Sequence, residues 1–69
     1  MDINKALKLK QGNMVHYPPD RGNPGGYGKV THNLTNYETI HENLNGEKYI
    51  WIEVQGVDHK TVWPSNRLG

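Results

Sequence analysis

Four histidines, one serine, seven carboxylates and no cysteine are the groups in this 69-residue chain that could do chemistry. His16, His32, His41 and His59 stand nine or more residues apart. A zinc site built from local pairs needs histidines about three to five residues apart, or thiolates. The sequence therefore offers no metal centre, and nothing in it calls for a cofactor. Ser65 follows Pro64 in a turn, with no histidine or aspartate beside it to activate the hydroxyl. Glu38, Glu42, Glu47 and Glu53 fall in one stretch. A chain this short buries only about 60% of its surface, and a small domain has no deep pocket in which to raise a carboxylate pKa. No residue is assigned a catalytic role.

The groups suited to binding are better represented. There are six aromatics, Tyr17, Tyr27, Tyr37, Tyr49, Trp51 and Trp63, and no phenylalanine. With hydrophobic residues at 33%, the core must use Ile, Val, Leu and the apolar bodies of Trp and Tyr. Trp51 and Trp63 can be read as packing or as contact residues; Tyr17 and Tyr27 lean toward contact. Both tyrosines flank the loop Pro18-Pro19-Asp20-Arg21-Gly22-Asn23-Pro24-Gly25-Gly26. Its prolines lower the entropy cost of presenting Asp20 and Arg21. Arg21 suits a bidentate contact to a carboxylate or phosphate, and Gly25-Gly26 allows a partner to approach closely. The alternative is a rigid turn with a local Asp20–Arg21 pair.

Net charge is +1, which makes no bulk case for nucleic acid. Its distribution is uneven. Residues 38–58 carry Glu38, Glu42, Glu47, Glu53 and Asp58 against Lys48 alone, a local charge of −4, while both ends are basic. Absence of cysteine excludes a disulfide scaffold. No apolar run approaches the ~20 residues of a membrane span, and residues 1–10 lack the apolar stretch of a signal peptide. A cytoplasmic protein without membrane contact is expected.

Elements that reverse often must carry these groups, because Asn, Gly and Pro recur throughout. Asp2 suits an N-cap, with Ile3 and Leu7 on one side of a helical turn; residues 1–8 are that turn or a frayed lead-in. Leu7, Leu9 and Val15 are core anchors around a turn or bulge at Gly12-Asn13. Residues 14–17 are the first strand, ended by Pro18-Pro19. Residues 27–32 are the second, with Gly28 marking a bulge or a close backbone approach. Asn45-Gly46 signals a type I′ hairpin pairing 40–44 with 47–51. Residues 48–55 read as one strand, with Ile50, Ile52 and Val54 inward and Tyr49, Trp51 and Glu53 outward. The Tyr49/Trp51 face either lies under the hairpin or stays partly exposed. Residues 60–63 are a short strand, Pro64-Ser65-Asn66 a 3₁₀ turn, and Arg67-Leu68 a final extended pair.

Gly12-x-x-Val15, a Gly-rich loop, then Gly28-Lys29-Val30 resembles the KOW-type start of an SH3-like barrel. Val62-Trp63-Pro64-Ser65-Asn66-Arg67-Leu68 resembles the end of such folds, a fourth strand, a 3₁₀ turn and a fifth strand. The resemblance covers roughly residues 9–68 and implies an all-β, small SH3-like antiparallel barrel of about five short strands with an extended hairpin. It also implies binding through aromatics near the loops, to peptides or methylated side chains, or to nucleic acid in KOW and Tudor relatives. Type II dihydrofolate reductase is a short SH3-like chain with its active site in a tetramer pore. Its V-Q-I-Y-P stretch aligns with Lys60–Pro64, but Thr61 replaces the pore glutamine and Trp63 the tyrosine, so the chemistry does not carry over. The expected function is a non-enzymatic protein-interaction or regulatory module contacting its partner through Tyr17, Arg21, Tyr27, Lys29, Trp63 and Arg67. A nucleic-acid or nucleoprotein-binding KOW- or Tudor-like module is the alternative, and an oligomeric pore enzyme resembling type II dihydrofolate reductase a remote one.

Overall fold

The computed structural model describes every residue except Asn23. Asp2 caps the first turn, its carboxylate accepting from the Lys5 N–H at 2.9 Å. Ile3–Ala6 form a single helical turn, α1. So short a helix cannot hold itself together; packing holds it, with Ala6 fully buried and Ile3 and Leu7 against the core. The chain then reverses through Gly12, at φ +92°. The Asn13 side chain accepts from the Lys10 N–H across this turn.

Six short strands follow: β1 (Met14–Tyr17), β2 (Gly26–Val30), β3 (His41–Glu42), β4 (Lys48–Tyr49), β5 (Trp51–Gln55) and β6 (Lys60–Pro64). Four form an antiparallel sheet in the order β1-β2-β5-β6, while β3 and β4 pair as a separate hairpin. A 3₁₀ turn, Ser65–Arg67, leads the chain back to β1. There His16 and Gly69 exchange both backbone hydrogen bonds at 2.9 Å, closing the curled sheet on itself. The all-β architecture with a 3₁₀ turn before the last extended pair is as expected.

The sequence-expected strand 48–55 is divided at Ile50. Before Ile50 the backbone pairs with β3; after it, with β6. Ser65 bridges the change of partner. Its hydroxyl accepts from the Ile50 N–H at 3.1 Å, and its own N–H donates to the Ile50 carbonyl at 2.9 Å. The second strand covers 26–30 rather than 27–32, although the Thr31 N–H still donates to the Glu53 carbonyl at 3.2 Å, in register with the pairs before it.

The hairpin forms, but not as a type I′ turn. Gly46 is at φ +81°, whereas Asn45 does not share the positive φ that type I′ requires. The Asn43 N–H donates to the Glu47 carbonyl and the Gly46 N–H to the Asn43 carbonyl, enclosing three residues. The Asn43 side chain accepts from Asn45 and Glu47 N–H and locks the loop. The register is therefore His41↔Tyr49 and Glu42↔Lys48, one residue from the two-residue turn. Such a slip moves side chains to the other face, and here it sets His41 beside Tyr49.

The core is aliphatic: Ala6, Leu9, Val15, Val30, Leu34, Ile50, Ile52, Val54 and Leu68. The expectation that the apolar bodies of Trp and Tyr help build it holds for Tyr17 and Trp63, which pack half-buried against this cluster; none of the six aromatics is fully buried. The reason is space. The backbone spans only 15 Å along its thinnest direction, and nine aliphatic side chains occupy the centre of that layer. At Gly28 even a methyl is excluded: a Cβ would strike Val54 Cγ1 and sit 2.8 Å from the Gln55 carbonyl oxygen. Folded surface is 4902 Å², against about 4,400 Å² for a compact monomer of this mass. The excess fits the flat shape and a hairpin whose tip, Leu44, is fully exposed.

Candidate functional site

Five of the six aromatics gather in two places, while Tyr37 stands apart and exposed. The first is the seam where Tyr17, at the end of β1, meets Trp63 of β6. Tyr17 pairs across from Gly26 and Trp63 across from Ile52, so both start from the inner side of the sheet. They lie half-buried against the core, ring centroids 6.2 Å apart and planes 21° from parallel. The Trp63 indole N–H donates to Thr61 Oγ1 at 3.0 Å. The Arg67 guanidinium stands 5.4 Å from the Trp63 ring centroid, within cation–π range.

Above this stacked pair lies a groove of about 300 Å³. One wall comes from the first long loop: Pro18, Asp20, Pro24 and Gly25, continuing into Tyr27. The other is the turn Val57-Asp58-His59. The loop packs tightly where it meets β1, since a Cβ at Gly25 would lie 2.8 Å from the Tyr17 carbonyl oxygen. The Tyr17 hydroxyl runs between Gly26 and Gly56, where a Cβ on either would come within 3.2 Å. Glycine at these positions opens the groove floor to the phenol.

Of the residues named from sequence, Tyr17, Tyr27 and Trp63 converge on this groove, and Arg67 covers part of the Trp63 ring. Tyr27 is exposed and also meets His16 edge to face at 5.1 Å. Arg21 sits at the loop tip with φ 44°, exposed and outside the groove lining. A non-glycine residue in the left-handed region carries strain of about 1 kcal/mol. Lys29 lies elsewhere, in a shallow depression with Gln11, Thr31, Gln55 and Lys60. Asp58 and His59 join the groove although their sequence reads only as a turn. Nothing in the local sequence says that this turn faces the proline loop.

The second gathering is on the hairpin. His41 stacks on Tyr49 at 5.4 Å, and Tyr49 meets Trp51 at 5.6 Å with planes 89° apart. Trp51 remains 50% exposed, so its face stays open rather than covered by the hairpin.

Ser65, the lone serine, is fully buried and hydrogen-bonded to backbone, a structural position. Among the described residues, no group of three or more His, Asp or Glu side chains is placed to hold a metal ion. Among them also, no helix is long and apolar enough to cross a membrane. No protein-family model, curated protein or solved structure matches this chain.

Proposed function

We propose that this chain is a non-enzymatic interaction domain that takes an extended segment of a partner protein in the seam groove. The observation carrying this reading is the stacked Tyr17–Trp63 pair at the bottom of a groove between two loops. Aromatic rings that a protein leaves half-buried in a concave site give large contact area at low entropy cost. The flanking Asp20 and Asp58 favour a segment with a basic residue beside its apolar one. The strand order, with the chain end returning to β1, supports an SH3-like reading of the fold.

Selection of peptides from a random displayed library on the whole chain tests this. Enriched peptides should bind the wild type, and both Trp63→Ala and Tyr17→Ala should weaken them about tenfold or more, the loss of one interface aromatic. Lys29→Ala should bind normally. Failure to enrich any peptide, or peptides indifferent to both groove variants, would refute it.

A nucleic-acid reading keeps one observation, the row in which Lys29 and Lys60 flank Gln55 on the sheet exterior. Its signature is an oligonucleotide affinity that falls steeply with salt and is lowered by Lys29→Ala.

A further inference from the structure

We infer that the exposed aromatic face of the hairpin is a second binding surface, built for an extended cationic segment of a partner protein. The inference stands apart from the groove, on different residues. Tyr49 and Trp51 alternate with the buried Ile50 and Ile52, so both rings project from one face. His41 completes the cluster, stacked on Tyr49 and edge-on to Trp51 at 6.5 Å. Next to Trp51 across the sheet exterior stand Val62, at 56% exposure, and Pro64. A contiguous surface of this kind on a small domain marks a contact site.

Charge selects the occupant. Two residues beyond Trp51, Glu53 lies on the same outward face, its carboxylate held by the Thr31 hydroxyl at 2.7 Å. Two residues before Tyr49, Glu47 is tied to the Asn43 side chain. The order is thus acid, aromatic, aromatic, acid along some 20 Å of extended chain. Both acids are tethered at the ends of the platform, so little ordering remains on binding. Aromatic faces attract guanidinium and ammonium groups, and the carboxylates do the same. They repel phosphate, which disfavours a nucleic-acid strand stacking on the same rings. Two arginines or lysines about six residues apart on an extended peptide reach both ends.

The probe is a peptide with two arginines six residues apart in a glycine-serine background, titrated into the full chain labelled with ¹⁵N. A control peptide replaces both arginines with glutamine, and oligothymidylate is the third arm. The Trp51 indole and the amides of 47–53 should shift with the arginine peptide only. Trp51→Ala should weaken that binding about two- to fivefold, the exposed cation–π range. Glu53→Gln, which leaves the core untouched, should weaken it by a similar factor and flatten its salt dependence. The inference is overturned if the arginine peptide leaves the Trp51 indole unmoved at about 1 mM. It is equally overturned if shifts fall only on Tyr17 and Trp63, a result that leaves the groove reading standing. Oligothymidylate shifting the indole in place of the peptide would overturn it in favour of nucleic acid.

Discussion

Replacing Ser65 by alanine tests the central joint of this fold. Ser65 is fully buried, and its hydroxyl takes the N–H of Ile50, itself 1% exposed. At Ile50 the backbone leaves β3 and has not yet joined β6, so no strand carbonyl replaces the hydroxyl. Ser65→Ala leaves a buried amide unpaired, at about 1–3 kcal/mol. The volume lost is one oxygen atom, so the cavity contribution is minor beside this. A domain of this size is stable by about 3–10 kcal/mol in all. The melting temperature should therefore fall by about 5–20 °C. Urea denaturation measures the loss, and amide hydrogen exchange locates it, because the Ile50 N–H should lose its protection while Ile52 and Val54 keep theirs. Ser65→Thr retains the acceptor but adds a methyl where nothing is exposed. It should cost about 1–3 kcal/mol by overpacking while Ile50 stays protected. A Ser65→Ala loss below about 0.5 kcal/mol, the size of an ordinary surface substitution, with Ile50 still slow to exchange, would refute the reasoning.

Gly28→Ala should destabilise by about 1–3 kcal/mol through the clash with Val54 and the Gln55 carbonyl; a thermal melt indistinguishable from wild type would show that β2 and β5 can part to admit a methyl. Gly46→Ala meets no neighbour but forces a side chain to φ +81°, at about 1–2 kcal/mol; amide exchange should quicken at Asn43 and Glu47 and remain unchanged at Ile52. Asp2→Ala removes the cap on α1 and should cost about 0.5–1 kcal/mol, read by urea titration. Arg67→Ala uncovers Trp63 and should shift the indole fluorescence, with a stability loss of no more than about 1 kcal/mol.

Much of the fold could be read along the chain because it rests on local chemistry. Ile50, Ile52 and Val54 alternate with polar or aromatic neighbours, and that period placed them in the core. Pro18-Pro19 ended β1, Asp2 capped α1, and Gly28 announced the close approach that excludes a Cβ. Leu34 was not foreseen as core, since it stands alone between turns and is buried by Leu9, whose carbonyl accepts its N–H.

The candidate sites depended on tertiary structure to different degrees. Tyr17 and Tyr27 were drawn toward binding by the stiff loop between them, a local feature. That Trp63 would stack on Tyr17, 46 positions away in sequence, follows only from the sheet curling until the end of β1 meets β6. Asp58 and His59 entered the groove by the same closure. The partnership of His41 with Tyr49 turned on a single residue of register, set by whether the Asn43–Glu47 turn encloses two residues or three. Sequence alone determined which stretches extend and that Val15, Ile50, Ile52 and Val54 turn inward, because propensity and alternation act over a few neighbouring residues; where the strands after β1 stop depended on their partners. The tertiary structure decided where the aromatics gather, because Tyr17 meets Trp63 and His41 meets Tyr49 only through contacts and register between distant parts of the chain.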